Sequence, residues 1–244
     1  RHTPLTKIGD NVMINTLNIS HTPIESINPS LKVLVLEAVN CHNLTHLSLE
    51  NQETQKINLT GSNIQTIHSI NTQILNISHC HNFKTFGKNI VFRDLIAENS
   101  SLSSLMDHLC AKEVNISGCP IEKLPENITV QKLDATSSQL KTLPKNICAE
   151  ELILNDTKIS IIPPDIQVKV LHLQNTSVHT IYYSPHFQEI VLNQSVKFIH
   201  PCIPNQIIKG MSLSQIKQAK HNFKQARKKN NPVKSSQNKQ TERE

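Results

Sequence analysis

His79-Cys80-His81 places three transition-metal ligands in a row, in a 244-residue chain that holds six Cys and 13 His. A site of the zinc-finger kind needs a second ligand pair at matching spacing, and none follows. The run reads instead as turn histidines beside a buried thiol. The Gly-x-Ser-x-Gly, His-Glu-x-x-His and Walker-type motifs are missing, and five Gly in the chain leave little for Gly-rich phosphate loops. No catalytic residue, metal or cofactor is expected.

A second chemistry is written more often. Acceptors of the form Asn-x-Ser/Thr for N-linked glycans stand at Asn18, Asn43, Asn58, Asn76, Asn99, Asn115, Asn127, Asn155, Asn175 and Asn193. They favour a secreted glycoprotein. A chain that opens on Arg1 rather than Met is expected after removal of a signal peptide, or in a fragment.

The elements that carry these residues follow from an internal repeat. An apolar pair spaced by two recurs at Leu17/Ile19, Leu36/Ala38, Ile57/Leu59, Leu75/Ile77, Leu95/Ala97, Val114/Ile116, Leu133/Ala135, Leu152/Leu154, Leu171/Leu173 and Ile190/Leu192, stepping by 19, 21, 18 and 20 residues and then by 19 throughout. Five residues after the first member comes a small, weakly polar residue: Thr22, Cys41, Ser62, Cys80, Ser100, Cys119, Ser138, Thr157, Thr176 or Ser195. An apolar residue usually follows two later, and later lines close with a turn such as Leu124-Pro125-Glu126-Asn127-Ile128. Cys41-His42-Asn43-Leu44 and Cys80-His81-Asn82-Phe83 each carry one extra turn residue. Alternating side chains on a short strand give two to a core. The small polar residue is expected to bond the turn that follows it. One line cannot bury its own apolar face, so the lines must stack into a solenoid. Leu (24) and Ile (29) dominate that core in a chain with 3% aromatics and no Trp.

The pattern resembles the leucine-rich repeat family in its short form, LxLxx[T/S/C]xIxxLPxxI, across about residues 12–200. It departs from the commonest form by placing Thr, Ser or Cys where Asn is usual. The resemblance implies an α/β-type repeat solenoid, mostly β with an irregular or 3-10 convex side, curved around a parallel concave sheet. It also implies that ligands bind that concave face. The chain divides into an N-terminal edge or cap (1–15), the solenoid of about ten repeats (16–200), a C-terminal edge (201–210) and a basic tail, partly helical or disordered (211–244).

The repeat also disposes of a disulfide framework. Cys41, Cys80 and Cys119 are spaced two repeats apart, roughly 10 Å along the stack, beyond the reach of a bridge. Cys110 and Cys148 are two lines apart in the same way. All five are expected to point inward as small apolar residues, with Cys202 beyond the last repeat.

Exposed strand positions in the middle repeats include Asp94, Glu98, Glu113, Asp134, Glu151 and Asp156, with Lys132 as the main opposing charge. Such a strip would steer a basic protein ligand, among them the chain's own tail. Glycans on Asn18, Asn58, Asn76 or Asn115 would obstruct the same face. Residues 211–244 carry nine Lys/Arg against two Glu, so the formal +6 of the chain belongs to the tail and residues 1–210 sum to about −1. Weak helical spacing there (Leu213, Ile216, Lys220, Phe223) precedes Arg227, Lys228 and Lys229, a candidate polyanion contact. Any nucleic-acid contact would have to rest on this tail, and with Phe223 as its only ring for stacking, specific nucleic-acid reading is not expected. No window resembles a membrane span. The leading expectation is a secreted, non-enzymatic recognition module for a protein or glycan ligand, of soluble-receptor, innate-immune or decoy type. The alternative is a cytoplasmic scaffold or adaptor that recruits a signalling enzyme or ubiquitin ligase; unpaired thiols suit that compartment.

Overall fold

Each line of the repeat becomes one rung because its strand alternates apolar and polar residues and its turn forces the chain back. The computed structural model describes residues 6–8, 13–50, 52–193 and 196–230. Eleven strands form one parallel sheet in chain order. They are β1 (Met13–Asn18), β2 (Lys32–Glu37), β3 (Glu53–Asn58), β4 (Ile70–Asn76), β5 (Ile90–Ile96) and β6 (Cys110–Asn115). The rest are β7 (Thr129–Asp134), β8 (Cys148–Ile153), β9 (Gln167–His172), β10 (Glu189–Val191) and β11 (Ile208–Lys209). Shorter strands of two or three residues lie on the return side and pair among themselves, as in Ile161–Ile162 with Thr180–Ile181 and Phe198–Ile199. The chain is a parallel β-solenoid of about ten turns with little helix. Ser195 and residues 231–244 lie outside the described residues, as does part of the 1–15 edge.

The register aligns the repeats residue for residue. Leu36, Ile57, Leu75, Leu95, Val114 and Leu133 stack as one spine, fully or almost fully buried. A third inward position, three residues ahead of each pair, adds Val33, Phe92, Val130, Ala149, Val168 and Phe187, with Thr54 and Thr72 in the same place. The extra turn residues are absorbed locally. Leu44 and Phe83 stay buried while their N–H groups donate to the carbonyls of Cys41 and Cys80.

The turns are built on one backbone requirement. In the nine rungs where it is described, the residue four after the pair's first member has positive φ: His21, Asn40, Gly61, His79, Asn99, Gly118, Ser137, Asp156 and Asn175. Only Gly takes this conformation freely, and Asn, Asp and His tolerate it best. At Gly118 (φ +69) an added Cβ would also fall 2.2 Å from Asn99 Oδ1, so a larger residue there requires the Asn99 side chain to move.

The following small residue bonds the turn ahead of it at two rungs, where the Leu102 and Val178 N–H groups donate to Ser100 Oγ and Thr176 Oγ1 at 3.3 and 3.4 Å, and more often bonds backbone behind it. Thr22, Thr157 and Thr176 donate to carbonyls of their own rung at 2.6–2.9 Å. Cys41, Cys80 and Cys119 donate to carbonyls of the preceding rung at 2.9–3.1 Å. These three thiols are buried, as expected. Cys110 is exposed and Cys148 half-buried, against the inward placement read from the sequence. Both open their strands, ahead of the positions that alternate into the core.

Helix α1 (Leu213–Asn230) closes the C-terminal end. Ser212 and Gln215 form a capping box: the Gln215 N–H donates to Ser212 Oγ, and the Ser212 N–H donates to Gln215 Oε1. Ile216, Ala219 and Phe223 are buried and the helix packs on Phe198–Ile199, while Leu213 is left 54% exposed. Lys220 Nζ donates to the Ile203 carbonyl and to Asn205 Oδ1, and burial lowers its pKa.

Candidate functional site

Two columns of side chains stand on the outer face of the main sheet, one residue from each strand. The first runs Val35, Lys56, Ile74, Asp94, Glu113, Lys132, Glu151 and Val170. The second runs Glu37, Asn58, Asn76, Ile96, Asn115, Asp134, Ile153 and His172. Their centre is a depression lined by Ile74, Asp94, Ile96, Glu113, Lys132 and Asp134, with Asn115 between them.

Four of the six predicted acids therefore meet on adjoining strands: Asp94, Glu113, Asp134 and Glu151. Glu98 and Asp156 do not. They sit in the turns that follow the strands, Asp156 at the positive-φ position (φ 58).

The strip is partly neutralised. Arg93 donates twice to Asp94 Oδ2, at 2.7 and 3.0 Å. Lys112 pairs with Glu113 at 3.3 Å, and Lys132 with Glu151 at 3.1 Å. His172 Nε2 lies 3.3 Å from the other Glu151 oxygen. Such exposed pairs hold little energy, and a competing cation can displace them. Asp94 Oδ1 is buried and has no hydrogen-bond partner among the described residues.

The sequon asparagines divide into two sets. Asn18, Asn58, Asn76 and Asn115 end their strands, and each Oδ1 accepts the N–H two residues on, at 2.9–3.2 Å. The Ser or Thr of the sequon joins the same turn: Thr60 and Ser117 hydroxyls donate to Asn58 and Asn115 at 2.7 and 2.6 Å. Asp134 makes the same bond to the Thr136 N–H at 2.9 Å, without a sequon. Strand termination thus accounts for these four motifs by itself. Asn43, Asn99, Asn127 and Asn175 are exposed in turns; Asn155 and Asn193 are half-buried. Asn155 Oδ1 accepts the Gln174 N–H at 2.8 Å.

In the His-Cys-His run, Cys80 turns into the core and burial pushes its thiol up to about 12. His79 and His81 stay at the surface with ring centres 6.4 Å apart.

Arg227, Lys228 and Lys229 are exposed in the last turn of α1. This helix packs on the return side at the end of the stack, so its described part does not cover the acidic strip. It does meet a feature that sequence order had concealed. Tyr182, Tyr183 and His200, from the last two rungs, gather around Phe223 of the helix. Tyr182–Phe223, His200–Phe223 and Tyr183–His200 ring centres are 5.6, 5.1 and 5.7 Å apart. They wall a cavity of about 520 Å³ with Arg227 among its lining residues. Burial, and the Arg227 charge, lower the His200 pKa. The available signal was a Tyr-Tyr pair about two repeats ahead of the single Phe of the helix.

No protein-family model matches the chain, and no curated protein matches it.

Proposed function

We propose that the chain is a non-enzymatic recognition module of the leucine-rich repeat type that binds a basic protein segment across its sheet face. The carrying observation is that Asp94, Glu113 and Asp134 line one depression together with Ile74 and Ile96. A cationic side chain bound there would meet carboxylates at the rim and an apolar floor for its methylene stem. The family assignment is supported by the rung itself: inward positions that are mostly apolar, a positive-φ turn residue and a buried Thr, Ser or Cys that in most rungs bonds backbone.

The test is binding of Lys/Arg-rich peptides selected against the folded chain. Asp94→Asn with Glu113→Gln should weaken the selected peptides at least about fivefold and flatten their salt dependence. Unchanged affinity would reject the acidic face as the binding surface.

The proposed location is extracellular, with the exposed turn asparagines Asn43, Asn99, Asn127 and Asn175 as glycan carriers. A second reading, an intracellular adaptor using the same face, is favoured by Cys41, Cys80 and Cys119. Each is a reduced thiol serving as a hydrogen-bond donor in the core. Intact mass of the native protein before and after enzymatic deglycosylation separates the two. A drop by several glycan masses supports secretion, and a bare polypeptide mass supports the adaptor.

A further inference from the structure

We propose that the cavity between the last rungs and α1 binds a nucleotide unit of single-stranded nucleic acid, its base among the rings and its phosphate on the helix cations. The inference is independent of the acidic sheet face and uses the opposite side of the molecule.

Three observations carry it. First, aromatic side chains make up only 3% of the chain, yet both of its tyrosines and two of its six Phe line this one cavity. Tyr182 and Tyr183 remain 39% and 36% exposed, although Phe223 beside them is buried. Rings held in place by edge contacts and open on another side are what a planar base needs for stacking. Second, the cavity continues into a neighbouring groove whose lining includes Lys224, Arg227 and Lys228. Across both grooves the lining residues contain one carboxylate, Asp165. Third, the volume of about 520 Å³ is that of a small-molecule site. It accepts a ring with its sugar and leaves the phosphate at the basic mouth.

These features discriminate among anions. A sulfated glycan would use the same cations but has no planar base to stack between the tyrosines, and heparin as competitor tests it. An anionic membrane would need apolar groups projecting from the surface, whereas these rings wall a recess. The expectation from sequence, that Phe223 alone is available to stack, changes because the fold adds Tyr182, Tyr183 and His200.

The experiment is fluorescence anisotropy of a short labelled oligothymidine with the full chain, in low and physiological salt. Unlabelled thymidine monophosphate, heparin and phosphatidylserine vesicles serve as competitors. Oligothymidine should bind, more weakly as salt rises. Tyr182→Ala with Tyr183→Ala should weaken it by about tenfold or more, while the corresponding Phe substitutions keep binding and circular dichroism shows both variants folded. Arg227→Ala with Lys228→Ala should weaken binding and reduce its salt dependence. Competition by the mononucleotide would support recognition of one base unit. Absence of oligothymidine binding in low salt would overturn the proposal. So would full binding by the Tyr→Ala pair, which leaves a plain cationic patch, or Tyr-dependent binding of vesicles that the oligonucleotide cannot displace.

Discussion

The polar residues that recur once per rung are chosen by backbone conformation before they are chosen by any ligand. Asp156 illustrates the point: it belongs to the acidic series by charge, yet it occupies the left-handed turn position shared with Gly118, Asn99 and His79. Asp156→Gly should therefore leave stability near wild type, whereas Asp156→Val should cost about 1–2 kcal/mol in denaturant unfolding. Equal effects of the two would show that the carboxylate, not the turn, sets the residue. The thiols give a second residue-scale prediction. Folded Cys80 has its pKa raised from 9.0 to about 12 by burial, and burial raises Cys41 and Cys119 also. An unfolded thiol ionises near the lower value, so this stabilisation is complete below about pH 9 and is lost as pH rises toward 12. Alkylation followed by mass should label Cys110 and Cys202 first and spare Cys41, Cys80 and Cys119 until unfolding. Early labelling of the three would contradict their burial.

At the scale of the element, the strands were legible because their signal is periodic and redundant. The pair Leu133/Ala135 predicts a strand, and β7 follows from it, as does the inward stacking of Leu133 on Val114. Cys110 is exposed rather than inward because a shared repeat position does not say which face it takes, and this one opens the strand ahead of the inward positions. Glu98 was misread because the outward column ends at Ile96 and the chain then turns. The helix face was only half legible. Ile216 and Phe223 are buried as their spacing suggests, yet Leu213 points outward, since the capping box at Ser212 sets where the helix starts. That cap makes its own prediction. Ser212→Ala should cost about 1 kcal/mol and fray the first turn of α1, seen as faster amide exchange over its first residues. Unaltered exchange would mean that packing by Ile216 alone fixes the helix start.

For the whole molecule, a solenoid is stable only as far as its ends are covered, because each rung contacts chiefly its neighbours. The last rungs of this chain are covered by α1, which brings Ile216, Ala219 and Phe223 onto Phe198–Ile199. The same helix carries all of the described positive charge of the tail, so electrostatics and stability are joined in one element. Truncation separates them. Removing residues 231–244 keeps every contact described for Ile216, Ala219 and Phe223, and the unfolding midpoint should stay near wild type. Removing 211–244 uncovers these side chains' partners. Burying a Phe or Ile side chain is worth about 1.5–3 kcal/mol, so the lost cover should lower the midpoint measurably. Amide exchange should then rise first in Thr180–Ile181 and Phe198–Ile199 and leave β5 to β7 protected, since a stack frays from its end. Uniform loss of protection along all rungs would show instead that the solenoid unfolds as one unit and that α1 holds the whole of it. A binding defect seen only in the longer truncation therefore has to be compared with Arg227→Ala and Lys228→Ala, which remove the charge and keep the cover.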